Sequence, residues 1–344
     1  MCTWQNSPLE LDTFAPSILH PLAIIALPIH LLAAFVILFK TPKTMGSVKQ
    51  SMLALHLCGA YLDLFFSAFS TQYLLLPVAA GYCQGLYSYL GVSVKWQLYL
   101  LIVTICMTGT TVLGFFESRY NAIVRGSDSS LFKDKKRLLY IGGHVVFSLT
   151  FILPVTFNAP DQELGKQYLK NTLPCVPEHV LNHPDLFISA TDITLLAILI
   201  AIPSLGIPTQ CVILAIRIAK FLSGTKAKSK RTHKLQVQFF IALCIQISIP
   251  MLALTVPDIY IIYALSKGYF NQALNNIFVN MMSLHGIISS IVMLIVHRPY
   301  RQFVTSLFCL FCAPCSRIKK LKSTGSSQVN VEASVFVTGL KVTV

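Results

Sequence analysis

Acidic residues are scarce in this chain: 13 Asp and Glu stand against 27 Lys and Arg in 344 residues, and charged residues of both signs make up only 12%. A soluble domain ordinarily carries about 25%. The net charge of +14 falls in short clusters between apolar runs, with no basic domain to carry it, so nucleic acid is not an expected partner. No apolar run shows the sustained alternation of a membrane β-barrel, and each is too long for a barrel strand. No Asn-x-Ser/Thr acceptor occurs, because Asn6-Ser7 is followed by Pro8. The first fifteen residues hold no Lys or Arg, which argues against a cleaved signal peptide.

Further absences narrow the class. There is no internal repeat and only one central acid in an apolar run, so a transporter or ligand-gated channel is the second choice. No His-Glu-x-x-His, Gly-x-Ser-x-Gly or paired membrane Asp motif is present, which places an enzyme last. The seventh apolar run has no Lys, so a retinal link is not expected.

What the chain does have is hydrophobic residue: 54% of the total, with a mean hydropathy of +0.67. Crossing about 30 Å of hydrocarbon takes roughly 17–25 residues per helix. Seven runs qualify, at 17–39, 51–77, 94–116, 138–157, 193–216, 235–262 and 273–296. The expected fold is an all-α membrane protein, a seven-helix bundle over 17–300 after a short outer segment, 1–16. With the N-terminus outside, 23 of the 27 Lys and Arg fall inside and only Lys95, Lys166, Lys170 and Lys267 outside. That asymmetry puts the C-terminus in the cytoplasm.

The 158–192 connection is polar and Pro-broken, which reads as a lid-like loop too small for its own core. Outside, Cys2, Cys83 and Cys175 face an oxidising compartment. Cys83 in the first outer loop and Cys175 in the second are the expected disulfide, although three thiols allow three pairings. Past the last run, 301–315 reads as an interfacial helix whose Cys309, Cys312 and Cys315 suit palmitoylation. Residues 316–344 read as a flexible tail. The basic stretches 133–137 and 223–234 suit anionic lipid.

Several polar residues stand out against the apolar background. Glu117, Arg119 and Tyr120 follow the third run; Arg and Tyr anchor commonly at a membrane interface, whereas Glu near a helix C-terminus opposes the helix dipole. Asp63 lies near mid-bilayer, where a charge costs about 2.5–3.5 kcal/mol and needs a partner, a proton or an ion; Asn280 and Ser283 are its expected neighbours. In the sixth run, Pro250 and Pro257 cannot donate to the carbonyls of Gln246 and Ala253, which makes this helix a candidate hinge. Tyr73, Trp96, Tyr99, Asp192, Asp258, Tyr260, Asn275 and Asn276 are ligand candidates in the outer halves.

The order of several short motifs resembles the nematode serpentine chemoreceptors of class H. They are KTPKTMGSVK (40–49), Asp63 in YLDLFFS, FFESRY (115–120), Gln246 with the two prolines, SLHG (283–286) and VHRPYRQF (296–303). The resemblance implies a G-protein-coupled receptor for a small environmental molecule, placed in the plasma membrane of a sensory cilium. It implies a switch at Glu117, Arg119 and Tyr120, joined by Pro299, Tyr300 and Arg301, and a candidate sodium ion at Asp63. Glu117 and Arg119 are two apart and do not face each other on a helix, so Arg119 is expected to pair with an acid or hydroxyl elsewhere. No Asn-Pro-x-x-Tyr occurs in the seventh run.

Overall fold

The computed structural model describes residues 2, 4–42, 46–127, 131–224 and 230–311. Seven helices in it are long and apolar enough to cross a membrane: Phe14–Lys40, Lys49–Phe69, Val94–Ile123, Lys135–Phe157, Ile193–Gly224, Gln236–Lys267 and Gln272–Val296. These are the first to seventh spans below. The second, third and seventh are the most enclosed, while the first, fourth and fifth present rows of Leu, Ile and Phe outward, among them Ile24 and Leu139. That apolar exterior is what a bundle surrounded by lipid needs, because burial against hydrocarbon replaces burial against protein.

Helix starts follow local hydrogen bonding. The Asp134 carboxylate accepts from the backbone N–H groups of Lys136 and Arg137, and Asn271 accepts from that of Leu274; each satisfies donors that the first turn leaves open. The third span runs to Ile123, so Glu117, Arg119 and Tyr120 lie inside the helix and not after it. The seventh span is interrupted at Leu284, between helices Gln272–Ser283 and His285–Val296.

The second span ends earlier than its hydropathy suggests. After a π-helical turn, Phe65–Phe69, the chain leaves the helix at Ser70 and forms β1, Thr71–Leu75. β1 pairs antiparallel with β2, Ala80–Gln84, which pairs with β3, Phe187–Ile188. A short apolar run cannot distinguish strand from helix by periodicity, and the apolar residues from Leu74 onward extended the run past the polar Ser70, Thr71 and Gln72. Ser70 holds the corner: its hydroxyl donates to Gln97 of the third span at 2.6 Å.

This small sheet caps one end of the bundle, called the sheet end here. The 158–192 connection adds to it a helix, Gln162–Thr172, a short turn of helix, Glu178–Leu181, and β3 itself. Leu169, Leu173, Val176 and Val180 pack against Tyr73, Leu75 and Tyr82 of the sheet. The loop therefore carries more structure than its polarity suggests, sharing a core with the sheet in place of having its own. Gly81 has no room for a side chain, since a Cβ would strike the Tyr73 carbonyl.

The disulfide joins Cys2 to Cys175, with Cα atoms 5.7 Å apart, and this corrects the expected Cys83–Cys175 pairing. Cys83 is buried in β2, and its thiol donates to Gln72 Oε1. Cys2 reaches Cys175 because the N-terminal segment is folded back over the sheet. Glu10 accepts from the backbone of Gln5 and Ser7, and Tyr73 OH donates to the Glu10 carbonyl.

A final helix, Arg298–Phe311, carries Pro299 and Tyr300 in the bundle unit; from Arg301 onward the chain is a second unit. Cys309 is helical, while Cys312, Cys315 and the tail lie outside the described residues, as do parts of the basic motifs at 43–45 and 225–229.

Candidate functional site

Below the sheet lies a cavity of about 190 Å³. Its walls come from the third, fifth and sixth spans, chiefly Leu101, Ile105, Ile207, Met251, Leu254 and Leu265, and Leu74, Leu76 and Phe187 form the roof. Pro203, Pro208 and Pro250 also line it. Lys95, Tyr99, Thr156, Ser189 and Thr255 add polar groups to the lining, and its one acid is Asp258 in the sixth span, buried, with Oδ2 accepting from Ser204 Oγ of the fifth at 2.8 Å.

Of the eight ligand candidates, the structure brings Tyr99 and Asp258 to this cavity. Tyr99 OH donates to the Leu149 carbonyl. Tyr73 is a strand residue holding the N-terminal segment. Asn275 donates to the Leu74 carbonyl and accepts from Tyr260 OH, and Asn276 donates to the carbonyls of Leu9 and Leu11. Asn275 and Asn276 thus join the seventh span to the cap, and Tyr260 joins it to the sixth span. Trp96 is 41% exposed and edge-on to Phe157. Asp192 is exposed, held below the usual carboxylate range by the Thr194 backbone N–H.

Asp63 is buried at the centre of a second cluster, with partners that the sequence does not announce. Its Oδ1 accepts from the Gly286 N–H at 2.9 Å and lies 3.1 Å from His285 Nδ1; its Oδ2 lies 3.3 Å from His30 Nε2. His56 Nε2 meets the His30 carbonyl at 3.0 Å, and Ser290 Oγ lies 3.2 Å from His30 Nδ1. A Cβ on Gly286 would sit 2.7 Å from the carboxylate, which explains the glycine of SLHG. The available signal was three histidines, at 30, 56 and 285, inside otherwise apolar runs.

Asn280 and Ser283 do not bond Asp63. The Asn280 amide donates to the Asn276 carbonyl, and Ser283 Oγ is buried without a hydrogen-bond partner. Hard cations take oxygen ligands, whereas imidazole and amide nitrogens surround this carboxylate, so the residues present do not fit the expected sodium ion.

At the end opposite the sheet, Arg137 of the fourth span clamps Glu117 of the third. Its Nε donates at 2.8 and 3.0 Å and its NH2 group at 2.8 Å, with both side chains buried. The buried guanidinium of Arg119 faces the ring of Phe239 in the sixth span, 4.9 Å from its centroid. His297, just past the seventh span, packs on the same ring and bonds Gln246 Oε1 through Nε2 at 2.9 Å. Burial, and then the Arg119 charge, push its imidazole down to about 4. Tyr300 OH lies 2.8 Å from Thr41 Oγ1 at the end of the first span. The guanidinium of Arg125, just past the end of the same helix, lies over the Tyr120 ring at 5.4 Å, outside this group.

The sixth span is thus common to two places. Met251, Leu254 and Asp258 line the cavity, while Phe239 and Gln246 touch Arg119 and His297. Pro250 lies between them.

Residues 10–310 match the family described as the serpentine type 7TM GPCR chemoreceptor Srh. The chain is also 26% identical over 291 residues to serpentine receptor class H-72 of Caenorhabditis elegans, across 83% of this chain and 82% of that relative.

Proposed function

The chain belongs to the Srh family of serpentine seven-helix GPCR chemoreceptors, and on that premise we propose that it detects a small, largely apolar molecule in the cavity beneath the sheet. The sheet end faces outside, at the plasma membrane of a sensory cell. The Cys2–Cys175 disulfide supports that orientation, since such bonds persist in oxidising compartments, and so does the excess of Lys and Arg at the other end.

Ligand in the cavity presses on Met251 and Leu254, and the sixth span bends at Pro250, where the ladder lacks one hydrogen bond. Phe239 then leaves Arg119, and Gln246 leaves His297. The opened end receives a heterotrimeric G protein. A ligand drives this change only by the difference in its affinity for the two states. The observation that carries the proposal is the shared helix: Met251 to Asp258, within about two turns after Pro250, belong to the cavity, while Gln246 and Phe239, about one and three turns before it, belong to the Arg119 and His297 contacts.

The test is ligand-screened G-protein activation in cells, with Leu254→Trp and Ile207→Phe as cavity-filling variants. At equal surface expression, a ligand response present in the wild type and lost in both variants supports the reading. A ligand-gated current without nucleotide exchange would move the chain's function to a channel.

A further inference from the structure

We infer that the ligand of this cavity carries a single protonated amine on a body about the size of a substituted benzene ring, with the ammonium seated on Asp258. The inference rests on the cavity being the ligand site, as proposed above.

Size comes first. An apolar cavity of about 150 Å³ in another protein admits benzene, so a cavity of about 190 Å³ leaves room for one ring and a few further atoms. Charge comes second. Asp258 is 9% exposed, with Ser204 Oγ as its hydrogen-bond partner. No ion pair with Asp258 occurs among the described residues. Lys95, the cation among the lining residues, holds its ammonium 5.5 Å from the Phe157 ring centroid and 5.8 Å from that of Trp96. A buried carboxylate without a matching cation is costly, and a ligand that brings the cation removes that cost.

Position comes third. Ser204 follows Pro203 on the fifth span, and Asp258 follows Pro257 on the sixth. An ammonium at Asp258 competes with the Ser204 hydroxyl for the carboxylate, so it acts on the contact between these two helices. The rest of the wall is mostly aliphatic and aromatic, with Thr156, Ser189 and Thr255 as small hydroxyls and Lys95 as its cation, so Asp258 is the one acid in the wall and the group that suits a cationic ligand. A site built to bond one polar group rejects the analogue that lacks it.

Binding of four probes to the purified full-length chain in nanodiscs at pH 7.4 tests this: benzylamine, benzyl alcohol, benzoate and toluene. The expected result is benzylamine binding at least ~10-fold more tightly than benzyl alcohol, as for a hydrogen bond between charged groups. Asp258→Asn should erase that preference and leave benzyl alcohol unchanged. Should Asp258→Asn fail to fold, Ser204→Ala, which keeps the carboxylate, should retain the preference. Equal binding of amine and alcohol, tighter binding of benzoate, or no binding of any probe overturns the inference. If Leu254→Trp abolishes equal binding of amine and alcohol, the cavity stands and the amine falls. If Leu254→Trp leaves binding intact, the site lies elsewhere and both readings fall.

Discussion

Arg137 of the fourth span donates three hydrogen bonds to the Glu117 carboxylate of the third, both side chains being less than 10% exposed. This explains an acid near the C-terminal end of a helix, where the dipole disfavours it: its guanidinium partner comes from the neighbouring span. Removing one member of such a pair leaves an unmatched buried charge, at about 3–5 kcal/mol, whereas replacing both by apolar residues is often near neutral. Arg137→Met should therefore destabilise the purified receptor strongly, and Glu117→Leu combined with Arg137→Met should recover most of the loss in a thermal melt. Equal loss in the single and double variants would refute the pairing.

Arg119 and Phe239 are in contact between the third and sixth spans, and the activation proposed above requires that contact to break. A cation over a ring contributes about 0.5–2 kcal/mol. Phe239→Ala should shift the resting equilibrium toward the open form and raise ligand-free nucleotide exchange several-fold, and Gln246→Leu should act in the same direction by releasing His297. Unchanged basal exchange at equal surface expression would reduce Arg119 to a structural anchor.

Cys2 and Cys175 close a loop of 173 residues in sequence separation. Cys2→Ser should cost about 2–5 kcal/mol, and non-reducing digestion should yield a cross-linked peptide pair containing Cys2 and Cys175. Burial pushes the Cys83 thiol up to about 12. It stays a thiol below that pH, so maleimide at pH 8 should leave Cys83 unlabelled in the folded chain and label it after denaturation. A Cys83–Cys175 peptide would contradict the structure.

Gly286 gives the Asp63 carboxylate its closest backbone donor. Gly286→Ala forces a Cβ against that carboxylate, with an expected loss of about 1–3 kcal/mol and reduced surface expression. Gly206→Ala is the control, since a Cβ there meets nothing within 4 Å.

Hydropathy alone located seven spans, because length and apolarity are what a bilayer demands of each. It misplaced the end of the second, where residues 74–78 resume apolar character after Ser70, Thr71 and Gln72, and the end of the third, where polar residues at 117–120 suggested a stop. Glu117, Arg119, Gln246, Asp63 and Asp258 were visible as polar residues against an apolar background. Their partners were not. Arg137, Phe239, His30, His285 and Ser204 come from other helices, and which faces meet depends on rotation and tilt that a single sequence does not encode locally. The disulfide failed for the same reason: three outer thiols were legible, but the folding-back of the N-terminus that selects Cys2 was not.

The most direct measurement is the distance between the third and sixth spans at the Arg119 end. Genetically encoded spin labels at Ala122 and Gln236 leave the native cysteines untouched, and pulsed EPR reads their separation. With a ligand that elicits nucleotide exchange, the distance distribution should shift to longer values, and Leu254→Trp should abolish the shift. Saturating ligand with no change in that distance would contradict the account that the sixth span carries the signal.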